Sequence, residues 1–386
     1  MFASPARAII LNGAVGRNSS APTDPALLRL WNLEGTVGPV IGTPIGPRDF
    51  ITAHHALNNT LPFTLTLDGV TYATSGSAGA GGDLRVWHLA SSAPSFTTWA
   101  PIWNPAVDGS EVGRPMVVFG RGADRGSPLF VAANSPNQAG WNWGTLGSSE
   151  PRSWGLDTVA SIIPLSTSDP TQLLTFDFKS TGTNEATMSG NDSGGGLFVQ
   201  NTAGQWKLAG INYAVDVYWA SSTINNGNYL QAAITDARGL WTLDDNNQPL
   251  YVDPATHPDP VVGVSYTSRV AYSYAAVRAY APIDGDATID GSVNFNDLLA
   301  LAANYGTAGS AVWASGDFNF DGNVNFSDLL ILAANYGASA SGGIDGEGNS
   351  NVANASMALV PEPACALGML VAFGFLSRPR RLRRFS

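Results

Sequence analysis

Between about residue 28 and residue 245 the chain reads as short apolar runs of strand length, cut by Gly, Pro, Asn and Ser. Thr64–Leu67, Arg85–Leu89, Met116–Phe119, Leu129–Ala132, Leu173–Phe178 and Trp206–Tyr213 are rich in β-branched and aromatic residues, which fit a pleated, half-buried surface. No stretch before residue 229 repeats its apolar residues at a helical period, and only Tyr229–Leu240 reads as a closing helix. That punctuation favours a β-barrel or sandwich body. The single cysteine, Cys365, rules out an intramolecular disulfide, so stability has to come from the apolar core and from metal.

A net charge of −11 argues against nucleic acid as a partner. Within the β-rich region, Gly190-Asn191-Asp192-Ser193-Gly194-Gly195-Gly196 sets a serine among glycines. Glycines let the backbone turn sharply through positive φ. Such a turn exposes the serine oxygen and aims N–H groups at one point, which are the two needs of acyl transfer. Upstream, Val40–Ala56 (VIGTPIGPRDFITAHHA) ends an apolar run on two histidines, His54 and His55.

These two segments resemble the serine and histidine segments of trypsin-like (chymotrypsin-fold) serine proteases, and the resemblance covers roughly residues 8 to 245. It implies a mainly β, two-barrel fold. It also implies that Ser193 is the nucleophile and His55 the general base, with His54 in the position of a small bystander. The N–H groups of Asn191 and Ser193 would form the oxyanion hole. Asp83, in Gly82-Asp83-Leu84-Arg85-Val86, matches the family's orienting aspartate, while Asp68 and Asp108 sit in turn contexts. Asp192 matches the aspartate that pairs with a newly cut N-terminus, and Ile9–Gly13 faintly resembles that start. Thr187, Tyr213 and Val215 match positions of the substrate pocket. Thr187 brings no charge, so the resemblance implies a preference for uncharged side chains.

Residues 246–282 carry Asp253-Pro254, His257-Pro258 and Asp259-Pro260 and read as a linker with a few extended segments. An internal repeat follows over residues 283–338. Its first copy places Asp286, Thr288, Asp290, Ser292, Asn294 and Asp297, and its second Asp317, Asn319, Asp321, Asn323, Asn325 and Asp328, at loop positions 1, 3, 5, 7, 9 and 12. Gly291 and Gly322 stand at position 6. That is the pattern of an EF-hand calcium loop, with a backbone carbonyl expected to ligate at position 7. Each loop enters an apolar helical run. The pair resembles a type I dockerin, which implies a small α-helical module holding a calcium ion in each loop and a cohesin-like partner.

A Gly/Ser/Ala/Asn tether over 339–359 leads to Val360-Pro361-Glu362-Pro363, the apolar run Ala364–Leu376 and an arginine cluster. This tail, 360–386, resembles a PEP-CTERM sorting signal. The resemblance implies a C-terminal membrane segment, a Gram-negative source, transient anchoring in the inner membrane and cleavage by an exosortase-type protease. Met1–Ala8 lacks the basic and apolar regions of a signal peptide, whereas arginines beyond an apolar run favour the cytoplasmic side and place the body outside. Two functions from different classes follow. One is an exported serine endopeptidase acting on protein or peptide substrates. The other is a non-catalytic, surface-anchored binding or structural protein on a protease-like scaffold.

Overall fold

The computed structural model describes residues 9–13, 16–57, 63–131, 136–144, 151–182, 185–216, 219–221, 230–244 and 248–339. The protein is mainly β. Six antiparallel strands close a barrel in the order Gly35–Val37, Val40–Pro44, Asp49–Ala53, Leu84–Leu89, Val70–Gly81 and Thr64–Leu67. Its interior holds Val37, Val40, Phe50, Leu65, Leu67, Trp87 and Leu89. The central strand Asp49–Ala53 is buried along its whole length, because the barrel covers one face and the rest of the protein the other.

The second half is a seven-stranded sheet in the order Ser153–Thr158, Pro115–Gly120, Gly196–Gln200, Trp206–Val215, Val264–Arg269, Gln172–Asp177 and Ser161–Pro164. Beside it lies a three-stranded sheet of Ala232–Ile234, Gln138–Trp143 and Arg125–Phe130. An apolar cluster that includes Ile45, Ile51, Phe119, Phe198 and Ile211 joins barrel to sheet.

Two expectations are corrected. Residues 230–240 of the expected closing helix Tyr229–Leu240 do not form one; Tyr229 lies outside the described residues. Ala232–Ile234 is a strand paired with Gly140–Asn142, its three side chains all buried. Alanine's helix propensity is a weak prior, and here the neighbouring strand offers both a ladder and a dry surface. Nor is 246–282 simply a linker. Val264–Arg269 lies inside the seven-stranded sheet, paired on both edges, and the chain runs on into the helix Tyr274–Arg278 with Val270 and Val277 buried. No apolar alternation marks this strand in the sequence, because Ser265, Thr267 and Ser268, though polar, are buried.

Residues 283–338 carry two short helices, Phe295–Ala303 and Phe326–Asn335. Asn294 and Asn325 cap them, with Asp297 and Asp328 completing reciprocal capping boxes. The chain after each helix bonds to the other loop: Gly306 N–H to the Val324 carbonyl, and Gly337 N–H to that of Val293. Among the described residues no helix is long and apolar enough to cross a membrane. The tail 360–386 and the tether, apart from Ser339, lie outside the described residues.

Candidate active site

Strand pairing brings the histidine to the aspartate. Asp49–Ala53 runs antiparallel to Leu84–Leu89, with Ala53 opposite Leu84, so the residues just beyond each strand emerge at the same end. Gly81 and Gly82, both at positive φ, turn the chain into Asp83. A side chain at Gly82 would strain the backbone and meet Thr171 at 2.5 Å. His54 N–H extends the ladder by bonding the Asp83 carbonyl at 2.7 Å.

Asp83, buried, accepts twice from His55: the His55 backbone N–H reaches its Oδ1 at 2.9 Å and His55 Nδ1 lies 2.6 Å from its Oδ2. The backbone bond fixes where the ring starts and the side-chain bond fixes how it is turned. The other ring nitrogen, Nε2, lies 2.9 Å from Ser193 Oγ. Tyr213 packs edge-on against the imidazole, with centroids 5.5 Å apart. Asp68 occupies the hairpin turn at φ 48°. Asp108 pairs with Lys207 at 3.1 Å. Neither bonds His55.

The serine loop lies between barrel and sheet, and its glycines answer to that crowding. A Cβ at Gly194 would fall 2.3 Å from Thr52 Oγ1, and one at Gly195 2.0 Å from the Phe119 carbonyl oxygen. Asn191 adopts φ 72°, a region Asn tolerates better than most residues. The N–H groups of Asn191 and Ser193 donate to no acceptor among the described residues, whereas those of Asp192, Gly194 and Gly195 are all engaged. Two donors unpaired among the described residues, beside a serine hydroxyl, have the arrangement that suits an oxyanion.

Asp192 is buried and accepts from Gly122 N–H, Ser189 N–H, Ser189 Oγ and Ile9 N–H. Burial pushes its carboxyl up to about 6 against those donors. Two supports of this loop carried no signal in the sequence. Asn212 donates from Nδ2 to the carbonyls of Phe119 at 2.7 Å and Asp192 at 2.9 Å, and its own backbone bonds Gly194 and Gly195. Glu34, fully buried, accepts from Thr43 Oγ1 at 3.0 Å and from Gly196 N–H at 3.1 Å.

Thr187, Tyr213 and Val215, the residues matched to a substrate pocket, are buried, and two of them meet Ser265. Val215 stands opposite Ser265 in the sheet, and Thr187 Oγ1 lies 3.0 Å from Ser265 Oγ. Ser265 lies in the strand Val264–Arg269, within the stretch expected to link body and repeats. Thr187 is neutral and already committed to it.

In the repeat loops, Asp286, Asp297, Asp317 and Asp328 are buried. Asp286 accepts from the N–H groups of Asp290 and Gly291, and Asp317 from those of Asp321 and Gly322. Asp297 takes Thr288 and Asn294 N–H, and Asp328 takes Phe318, Asn319 and Asn325 N–H. Ile289 and Phe320, at loop position 4, share φ 56°, and Gly291 and Gly322 lie at 83° and 81°, so the two loops have one backbone signature. Asp290 and Asp321 turn their carboxylates onto the N–H groups of Ser292 and Asn323. Among the described residues no group of three or more His, Cys, Asp or Glu converges as a metal cage. The donor set is nonetheless one of hard oxygens, with several carboxylates close together in each loop. Burial, then repulsion from Asp328 and Asp321, pushes the Asp317 carboxyl up to about 7, which fits a loop built for a divalent cation.

No protein-family model matches this chain, and no curated protein matches it.

Proposed function

We propose that the protein is an exported serine endopeptidase with a calcium-binding dockerin-like module and a cell-envelope sorting tail. The observation that carries this reading is the hydrogen-bonded line Asp83–His55–Ser193, ending beside the N–H groups of Asn191 and Ser193, which have no acceptor among the described residues. Ser193 Oγ attacks the scissile carbonyl while His55 Nε2 takes its proton. The N–H groups of Asn191 and Ser193 hold the oxygen that becomes negative. Asp83 keeps the other ring nitrogen protonated and stabilises the imidazolium, and His55 then returns the proton to the leaving amine. Water repeats the sequence in reverse on the acyl-enzyme. The finer form of the fold, a two-barrel protease body, belongs to the same reading. Support for it comes from the closed barrel and from the site's position between barrel and sheet.

Calcium would be held by Asp286, Thr288, Asp290, Ser292, Asn294 and Asp297 in one loop. In the other it would be held by Asp317, Asn319, Asp321, Asn323, Asn325 and Asp328. When bound it supplies positive charge that relieves the mutual repulsion of these carboxylates. A cohesin-like partner, an exosortase-type processing enzyme and transient inner-membrane anchoring in a Gram-negative envelope complete the reading; they rest on the sequence of the module and the tail.

A fluorophosphonate probe tests the central claim. The wild-type chain is expected to be labelled at Ser193. Ser193→Ala should lose both label and peptide hydrolysis, by a factor on the order of 10⁶ in turnover. His55→Ala should lose labelling as well. A Ser193→Ala protein that still hydrolyses peptides at the wild-type rate refutes the assignment.

A further inference from the structure

The segment 94–104 leaves the barrel, crosses to the sheet and is anchored at both ends. Phe96 N–H bonds the Pro47 carbonyl and Ala100 N–H that of Pro44, both at 2.8 Å. Leu208 N–H bonds the Pro101 carbonyl at 2.8 Å, and Trp103 N–H that of Leu208 at 3.0 Å. Phe96 is packed in the barrel core and Ala100 in the cluster between barrel and sheet. Trp99 between them belongs to neither. It is only 4% exposed, and the cluster that buries it is the core of the repeat module: Ala287, Val293, Leu301, Trp313, Phe318 and Leu332.

The contacts reach both loops. Trp99 lies 5.3 Å from Trp313, ring centroid to ring centroid, and 6.0 Å from Phe320. Trp313 donates its indole N–H to the carbonyl of Asp286, the first residue of the first loop. Phe320 is position 4 of the second loop, held at φ 56°. Around this contact Arg278 pairs with Asp284 at 3.5 Å, and Arg29, on the body's helix Pro25–Trp31, is attracted by Asp317 and Asp321. One indole from the body thus seats the first loop through Trp313 and the second through Phe320.

We propose that the module is not an independent appendage but docks on the protease body, with Trp99 completing its core, so that calcium binding and closure of the module on the body are one coupled event. This rests on the calcium reading of the two loops. A small module has little apolar core of its own, and a buried indole contributed by the body is a large part of it. Coupling is reciprocal. Calcium must therefore raise the unfolding temperature of the body, and loss of Trp99 must weaken calcium binding.

The test titrates calcium chloride into the chelator-treated full chain by calorimetry, with circular dichroism following thermal unfolding. Wild type is expected to take up calcium and to shift its main unfolding transition upward. Trp99→Ala is expected to bind calcium about 5- to 150-fold more weakly, the usual span of such couplings, and to lose the shift. Trp99→Phe, which keeps an aromatic ring there, should fall between the two and carries the comparison if the alanine variant does not fold. Calcium uptake with equal affinity and an equal shift in wild type and both variants overturns the docking inference alone. No uptake by wild type at millimolar calcium overturns the calcium reading, and this inference with it.

Discussion

Glu34 offers the sharpest energetic test of how the serine loop is held. Its carboxylate is fully buried, and its hydrogen-bond donors are Thr43 Oγ1 and Gly196 N–H, with Arg152 adding a weaker attraction. Burial dominates and pushes the carboxyl up to about 7 from an ordinary 4.5. The folded state therefore holds the proton more tightly than the unfolded one. Stability from this group is fully present below about pH 4.5, declines as pH rises, and is lost above about pH 7. The shift corresponds to about 3 kcal/mol at 1.36 kcal/mol per pH unit.

Glu34→Gln keeps the shape and an oxygen for Gly196 N–H but cannot ionise. The variant should match wild type at pH 4.5 and be more stable at pH 8, by up to about 3 kcal/mol less the cost of turning the Thr43 hydroxyl. Urea unfolding of both proteins at the two pH values measures it. Asp192 also titrates across this range, but equally in both proteins, so it cancels from their difference. A Glu34→Gln protein whose stability relative to wild type is the same at pH 4.5 and pH 8 refutes the reasoning.

Asn212→Ala removes the donor shared by the Phe119 and Asp192 carbonyls. It should cost about 1–3 kcal/mol in urea unfolding and, on the proposed activity, lower kcat more than it raises KM, because Asn212 is buried behind the loop it positions. Cleavage of a peptide library should show no preference for Lys or Arg, since Thr187 is neutral and bonded to Ser265; strong cleavage after Arg would mean that the pocket is built from other residues. A fragment of residues 283–338 lacks Trp99 and should bind calcium more weakly than the full chain, as titration of the two side by side would show.

Local chemistry was legible in the sequence because it is written in neighbouring residues. Thr64–Leu67 and Arg85–Leu89 announced their strands by composition, since β-branched and aromatic side chains suit a pleat wherever the strand is placed. The glycines of the Ser193 loop and the oxygen donors spaced along 286–297 and 317–328 likewise follow from backbone geometry that depends on a few adjacent residues. Tertiary structure alone decided which distant segments meet. Ala232–Ile234 became a strand because Gln138–Trp143 was there to pair with it. Val264–Arg269 entered the sheet on small polar residues that no hydrophobic pattern reveals. Glu34 reached Gly196 across 162 residues, and Trp99 entered the core of the repeat module from the body. Periodicity and turn chemistry act over a few residues, whereas these contacts arise from packing one complete surface against another, and a side chain's partner there has no signature near it in the sequence.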